Sequence, residues 1–117
     1  MKINTEAYGG FIVSNNILNE VPTRYSFRNR SSFCQLNGWV LYSAADDDAY
    51  IKNGKNFIIL SAESLFKIVP VMAELFDAPY GTHLYWLYEN NVHIGFYDLM
   101  QKKRVTIKEI LRSGDDI

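Results

Sequence analysis

Apolar and polar positions along this chain fall into short runs with two distinct periods. Phe11-Ile12-Val13-Ser14 follows Gly9-Gly10 and reads as a short buried strand that Asn15-Asn16 ends. Residues 23–30 alternate: Tyr25 and Phe27 take one face, and Arg24, Ser26, Arg28 and Arg30 the other. That is the period of a half-exposed antiparallel strand, and Pro22 stands just before it, where a strand tolerates proline. Gly38 to Ser43 reads as a further strand. Asp46-Asp47-Asp48 ahead of Ala49-Tyr50-Ile51-Lys52 predicts one helical turn with an aspartate cap, stopped by Asn53-Gly54. Residues 56–60 are apolar from Phe57 onward and predict a central strand buried on both faces.

The period then changes. Leu65, Ile68, Val69, Met72, Leu75 and Phe76 recur at helical spacing, and Ser61 stands where a cap belongs. Pro70 removes a backbone donor and disfavours helical geometry at Val69. Two short helices or one kinked helix follow, with Asp77-Ala78-Pro79-Tyr80-Gly81 as the turn out. Residues 82–97 predict a β-hairpin about Asn90-Asn91, since asparagine tolerates the left-handed turn conformation. A turn centred there pairs Tyr88 with His93, Leu87 with Ile94, Trp86 with Gly95, Tyr85 with Phe96 and Leu84 with Tyr97. Tyr85, Leu87, Val92, Ile94 and Phe96 then form the expected core face. Leu84, Trp86, Tyr88, His93 and Tyr97 form an amphipathic outer face. Thr106 to Arg112 predicts a short closing helix capped by Thr106 and ended by Gly114.

Together these elements predict an α+β fold: a mainly antiparallel, twisted sheet of about five or six strands with the Pro70 helix pair on one face. The length, 117 residues, fits a single domain over 1–117, with flexible ends over 1–8 and 114–117. Aromatics reach 15%, which suits both a core and a binding surface. The net charge of -1 indicates neither a strongly basic nucleic-acid binder nor a strongly acidic mimic. The single cysteine, Cys34, excludes an intrachain disulfide and a cysteine metal cluster. The polar start of the chain lacks a signal-peptide run, and no stretch approaches the roughly 18 apolar residues that span a bilayer. A soluble cytoplasmic protein without membrane association is the reading.

No catalytic constellation stands out. Three consecutive aspartates point in different directions, lack the alternate spacing of a calcium loop, and read as a cap and solvated turn. His83 and His93 fall on opposite faces in the expected register, which disfavours a shared metal. Cys34 has no local histidine partner and reads as an ordinary loop thiol. Serine-elbow, phosphate-loop and dinucleotide motifs are missing. No cofactor is expected and the chain is not read as an enzyme. Arg24, Arg28 and Arg30 on one strand face, with Lys102-Lys103-Arg104 as a second basic cluster, offer a phosphate- or nucleic-acid-binding alternative. The slightly acidic balance argues against nucleic acid as a partner, and arginines also keep an outer strand face soluble. The outer aromatic face of the hairpin has two readings: a binding surface, because Trp and Tyr dominate interface hot spots, or a face that another element covers.

One ordered set of motifs goes further. Val13-Ser14-Asn15, Arg24-Tyr25-Ser26-Phe27-Arg28, Gly38-Trp39, Asp46-Asp47-Asp48 with Tyr50, the run Phe57 to Leu60, and Asp77-Ala78-Pro79-Tyr80-Gly81 follow one another over residues 9–82. In order and spacing this resembles the bacterial polymorphic-toxin immunity-protein family numbered thirty-three, formerly a domain of unknown function. Ser43-Ala44-Ala45 stands where that family usually has a Ser-Gly step. The hairpin after Thr82 and the basic C-terminal segment extend beyond the expected family core, as a specificity element would. The resemblance implies a non-catalytic binding protein that neutralises a cognate bacterial toxin or effector by occluding it, as a monomer or a homodimer. Asp46, Asp47, Asp48 and Tyr50 would then face a basic cleft, with Trp86, Tyr88 and Tyr97 as aromatic anchors.

Overall fold

A computed structural model of the chain describes residues 8–33 and 35–112. Among the described residues seven strands and five short helices follow one another: β1 (Gly10–Ser14), α1 (Asn15–Leu18), β2 (Thr23–Arg28), β3 (Leu36–Ser43), α2 (Asp48–Ile51), β4 (Phe57–Leu60), α3 (Ala62–Ile68), α4 (Met72–Leu75), β5 (Thr82–Glu89), β6 (Val92–Asp98), β7 (Lys103–Val105) and α5 (Ile107–Arg112). A 3₁₀ turn, Gly54–Asn56, leads into β4. The strands form one sheet in the order β4-β1-β3-β2-β5-β6-β7. Only β1 and β3 pair in parallel and the other pairings are antiparallel, so the sheet is mainly antiparallel as expected, but mixed, and among the described residues it has seven strands against the five or six expected. The sequence reading missed β7, whose three residues are too few to show alternation. It also placed β4 centrally, but β4 is an edge strand. Its Ile58 and Ile59 are 41% and 62% exposed, because an apolar run specifies burial only where neighbours exist on both sides.

The helix caps follow local chemistry. Ser61 accepts from the Ser64 N–H and opens α3, and Asp47 accepts from the Tyr50 N–H and opens α2. Thr106 and Glu109 form a reciprocal capping box at α5. Pro70 splits the helical run into α3 and α4. The hairpin turns at Asn90 and Asn91, both at positive φ (52° and 65°). That geometry matches a tight two-residue turn whose hand suits twisted strands.

The sheet is two-faced. Phe11, Val13, Trp39, Leu41, Leu84, Trp86, Phe96 and Val105 are buried with Leu65, Phe66, Met72, Leu75 and Ile110 of the helices. Strand β3 alternates without a break between buried and half-buried residues. The opposite face carries Ile12, Val40, Tyr42, Tyr25, Phe27, His83, Tyr85, Leu87 and Tyr97, all half-buried or exposed. The loose arm expected over 1–8 lies outside the described residues except for Tyr8. That ring packs edge-on against Phe66 and Phe76, at centroid distances of 5.4 and 4.7 Å. The expected end at Gly114, the tail beyond it and Cys34 also lie outside the described residues.

Candidate functional site

The faces of β5 are exchanged relative to the sequence reading, while Phe96 and Tyr97 of β6 lie on the faces expected of them. Tyr88 pairs with His93 as expected, but a bulge then shifts the register by one residue. Leu87 lies opposite Gly95, Trp86 opposite Phe96, Tyr85 opposite Tyr97 and Leu84 opposite Asp98. One extra residue in a strand moves every later side chain to the other face. Leu84 and Trp86 therefore join Phe96 in the core, and Tyr85 and Leu87 join Tyr97 outside. Strand β2 drives the same outcome. Its Ser26 is fully buried and small enough to leave room for the Trp86 indole, whose Nε1–H donates to the Ser26 hydroxyl at 2.8 Å. The arginine face of β2 is thus the inner one, and its aromatic face is open.

That open face is the candidate site. Phe27 stacks on His83 at 5.5 Å, and Tyr25 stacks on Tyr42 at 5.8 Å. Tyr85 meets Tyr25 edge-on at 5.9 Å, and the Tyr25 hydroxyl lies 2.6 Å from His83 Nδ1. Tyr42 then contacts Phe57, and Phe57 contacts Tyr50, at 5.6 and 6.0 Å. The rings form one continuous band from β5 across the sheet to the acidic turn. Tyr85 stays 42% exposed within it. Burial, then the neighbouring Tyr42 and Tyr85, raises the Tyr25 phenol above its usual range. Burial, then the charge of Asp46, does the same for Tyr42. Both are therefore neutral at physiological pH and can donate or accept hydrogen bonds.

The acidic turn borders this band. Asp46 is held from within: it accepts from the Ser43 N–H at 2.8 Å, from the Ser43 hydroxyl, and from Asn16 Nδ2 at 2.9 Å. Desolvation pushes its carboxyl upward, but the hydrogen bonds from Ser43, Asn16 and Ser14 together outweigh it and hold the group below its ordinary value. Asp47 caps α2 and Asp48 sits in its first turn, and both are exposed. Tyr50 is tied down by a bond from its hydroxyl to the Asn56 carbonyl at 3.2 Å.

The remaining expected site residues lie apart. Trp86 is 3% exposed. Tyr88 is half-buried and donates its hydroxyl to the Thr23 carbonyl at 2.7 Å. With His93 the two border a groove of about 610 Å³ between the hairpin and the Val69-Pro70-Val71 elbow, on the helix side of the sheet. Tyr97 lies on the open face beside Tyr85. The three arginines do not converge as a phosphate site. Arg28 donates to the carbonyls of Asn37, Phe76 and Ala78 at 3.0, 2.7 and 2.9 Å and lies over the Phe76 and Tyr80 rings. Arg30 lies over Tyr80, and Arg24 is exposed at the other end of β2. Among the described residues no group of three or more His, Cys, Asp or Glu side chains is placed to hold a metal, and no helix is long and apolar enough to cross a membrane.

Sequence reasoning missed Tyr25, Phe27, Tyr42, His83 and Tyr85 as surface residues. The signal was present in β3, where Trp39 and Leu41 alternate with Val40 and Tyr42. Pairing β2 against that strand places Tyr25 beside Tyr42 and Ser26 beside Leu41.

Fold and site together define a one-sided α+β domain that offers a sheet face and an acidic corner for contact. The immunity protein Imm33 domain model matches residues 11–96, well over half the chain, and the chain belongs to that family. The matched stretch takes in the hairpin as far as Phe96, so the hairpin is part of the family domain and only β7 and α5 lie beyond it. No curated protein and no solved structure matches the chain significantly.

Proposed function

We propose that this chain neutralises a bacterial toxin or effector without chemistry of its own, by seating the open aromatic face and the acidic corner over the partner's functional surface. The observation that carries this is the unroofed band of rings in a member of an immunity-protein family. Aromatic side chains bury much area for little lost rotamer freedom and dominate binding hot spots. Tyr42, Tyr85 and Tyr97 supply the anchors, and Tyr25 and Phe27 pack beside Tyr42 and Tyr85 on the same face. Asp47 and Asp48, with Asp46 and Tyr50 behind them, give the face a negative border. A partner with a basic cleft would be steered onto it, with a gain in encounter rate and specificity more than in affinity. Trp86 and Tyr88 hold the hairpin in place and lie outside this surface.

The test begins with the gene next to this chain's: a toxin found encoded there is expressed with and without the chain. A folded Tyr42→Ala, Tyr85→Ala double variant should bind that toxin at least roughly tenfold more weakly and lose protection. Full protection by the folded double variant would remove the open face from the contact.

A further inference from the structure

The two edges of the sheet are treated differently. At one edge β7 carries Lys103 and Arg104, both exposed, a common means of keeping a strand edge from pairing. At the other, β4 reads Phe57-Ile58-Ile59-Leu60, with no charge, no proline and no irregularity in its pairing with β1. Its outer side has no strand partner among the described residues. Half of the backbone donors and acceptors of such a strand face outward and are ready to extend the ladder.

Symmetry identifies the occupant. Two copies that pair edge to edge about a two-fold axis perpendicular to the sheet run antiparallel and keep their faces in common. Directly opposed residues must share a face, so the axis has to pass through a residue pairing with itself. Centred on Ile59, the pairing sets Ile58 opposite Leu60 and Phe57 opposite Ser61. It also brings the 3₁₀ turn that holds Lys55 toward the first turn of α3, which holds Glu63, at both ends. Lys55 precedes β4 and Glu63 lies in the first turn of α3, and both are exposed. Glu63 makes only a loose 3.9 Å intrahelical pair with Lys67. The two Ile59 side chains, each 62% exposed, would meet on the open face beside Ile12. Charge and apolar positions are thus self-complementary in one register.

We propose that β4 pairs with β4 of a second copy of this chain, centred on Ile59, joining the two sheets into one and making a single aromatic face of both. The contact is short, so the dimer is a weak one that dissociates on dilution.

Sedimentation velocity over a concentration series up to about 100 µM tests it. The expected result is a monomer–dimer equilibrium that Ile59→Lys shifts toward monomer at least roughly tenfold, with unchanged circular dichroism. Lys55→Glu should also weaken association, and Lys55→Glu combined with Glu63→Lys should restore it. A chain that stays monomeric over the series overturns the proposal. So does a dimer unaffected by both Ile59→Lys and Lys55→Glu, or a charge swap that fails to restore association.

Discussion

Trp86 is the residue on which the two possible orientations of the hairpin disagree most. If it faced outward, truncating it would spare stability and weaken partner binding. In the structure its ring is 3% exposed, packs on His93 and Phe96 at 5.0 and 5.1 Å, and donates to the buried Ser26 hydroxyl. Trp86→Ala should therefore cost about 3–5 kcal/mol. Since that is a large share of the stability of a domain this size, Trp86→Phe is the better probe. It keeps most of the buried area, loses one hydrogen bond worth about 1 kcal/mol and leaves a small gap. The expected total is about 2 kcal/mol, or a fall in melting temperature of roughly 6–10 °C. Tyr85→Ala, on the open face, should cost less than about 1 kcal/mol. Urea denaturation followed by far-ultraviolet circular dichroism measures both, without relying on the fluorescence of the ring being changed. A Trp86→Phe variant as stable as the parent, with Tyr85→Ala the destabilised one, would refute the face assignment. Loss of toxin protection by a fully stable Trp86→Phe variant would make Trp86 a contact residue after all.

Two further perturbations test the supports of the site. Gly38 has φ +91°, and a Cβ there would drive into the Asn29 carbonyl, so Gly38→Ala should cost about 3 kcal/mol in a urea melt. Gly54→Ala, with open space around it, should change stability by less than about 0.5 kcal/mol. His93 is pushed below its usual pKa by burial, only partly offset by its bond to the Gly95 carbonyl. The unfolded chain therefore binds that proton more readily, so the stability His93 confers is present above about pH 6.5 and is lost as pH falls through its lowered folded value. Melting temperatures between about pH 7 and pH 5 should decline for the parent, and His93→Gln should flatten that part of the decline.

Much of the architecture was legible because it depends on local chemistry. The caps at Ser61, Asp47 and Thr106, the break at Pro70 and the Asn90-Asn91 turn each need only a few neighbouring residues. What sequence could not supply was the polarity of the strands. In β2 one face is aromatic and the other carries arginine and serine, and solvent preference alone puts the aromatics inside. The structure does the reverse because Arg28 finds three carbonyls and two rings on the helix side, while Ser26 accepts the Trp86 donor. Once β2 is fixed, pairing fixes β5, and the bulge beyond Leu87 leaves Phe96 and Tyr97 of β6 on the faces expected of them. The candidate site inherits that inversion at Tyr25, Phe27 and Tyr85, the rings that solvent preference alone would cover.

Three of the motifs that carry the family resemblance meet in one place: the Arg24-to-Arg28 strand, Gly38-Trp39 and the Asp77-to-Gly81 turn. Arg28 and the Trp39 indole N–H both donate to the Phe76 carbonyl, and Arg28 also reaches the Ala78 carbonyl. The Gly81 N–H donates to the Arg28 carbonyl at 2.6 Å, and Gly38 lets the backbone pass beneath Asn29 and the Tyr80 ring. Strand β2, strand β3 and the Asp77–Gly81 turn are thus locked by groups buried or half-buried within the protein. An arrangement of this kind separates two tasks. Arg28, Gly38 and Trp39 fix the sheet, and the outward-facing Tyr42 of β3 and Tyr85 of β5, which belong to none of the motifs, stand outside that lock. On the proposed function, substitutions at Tyr42 or Tyr85 are expected to alter binding while leaving the lock in place.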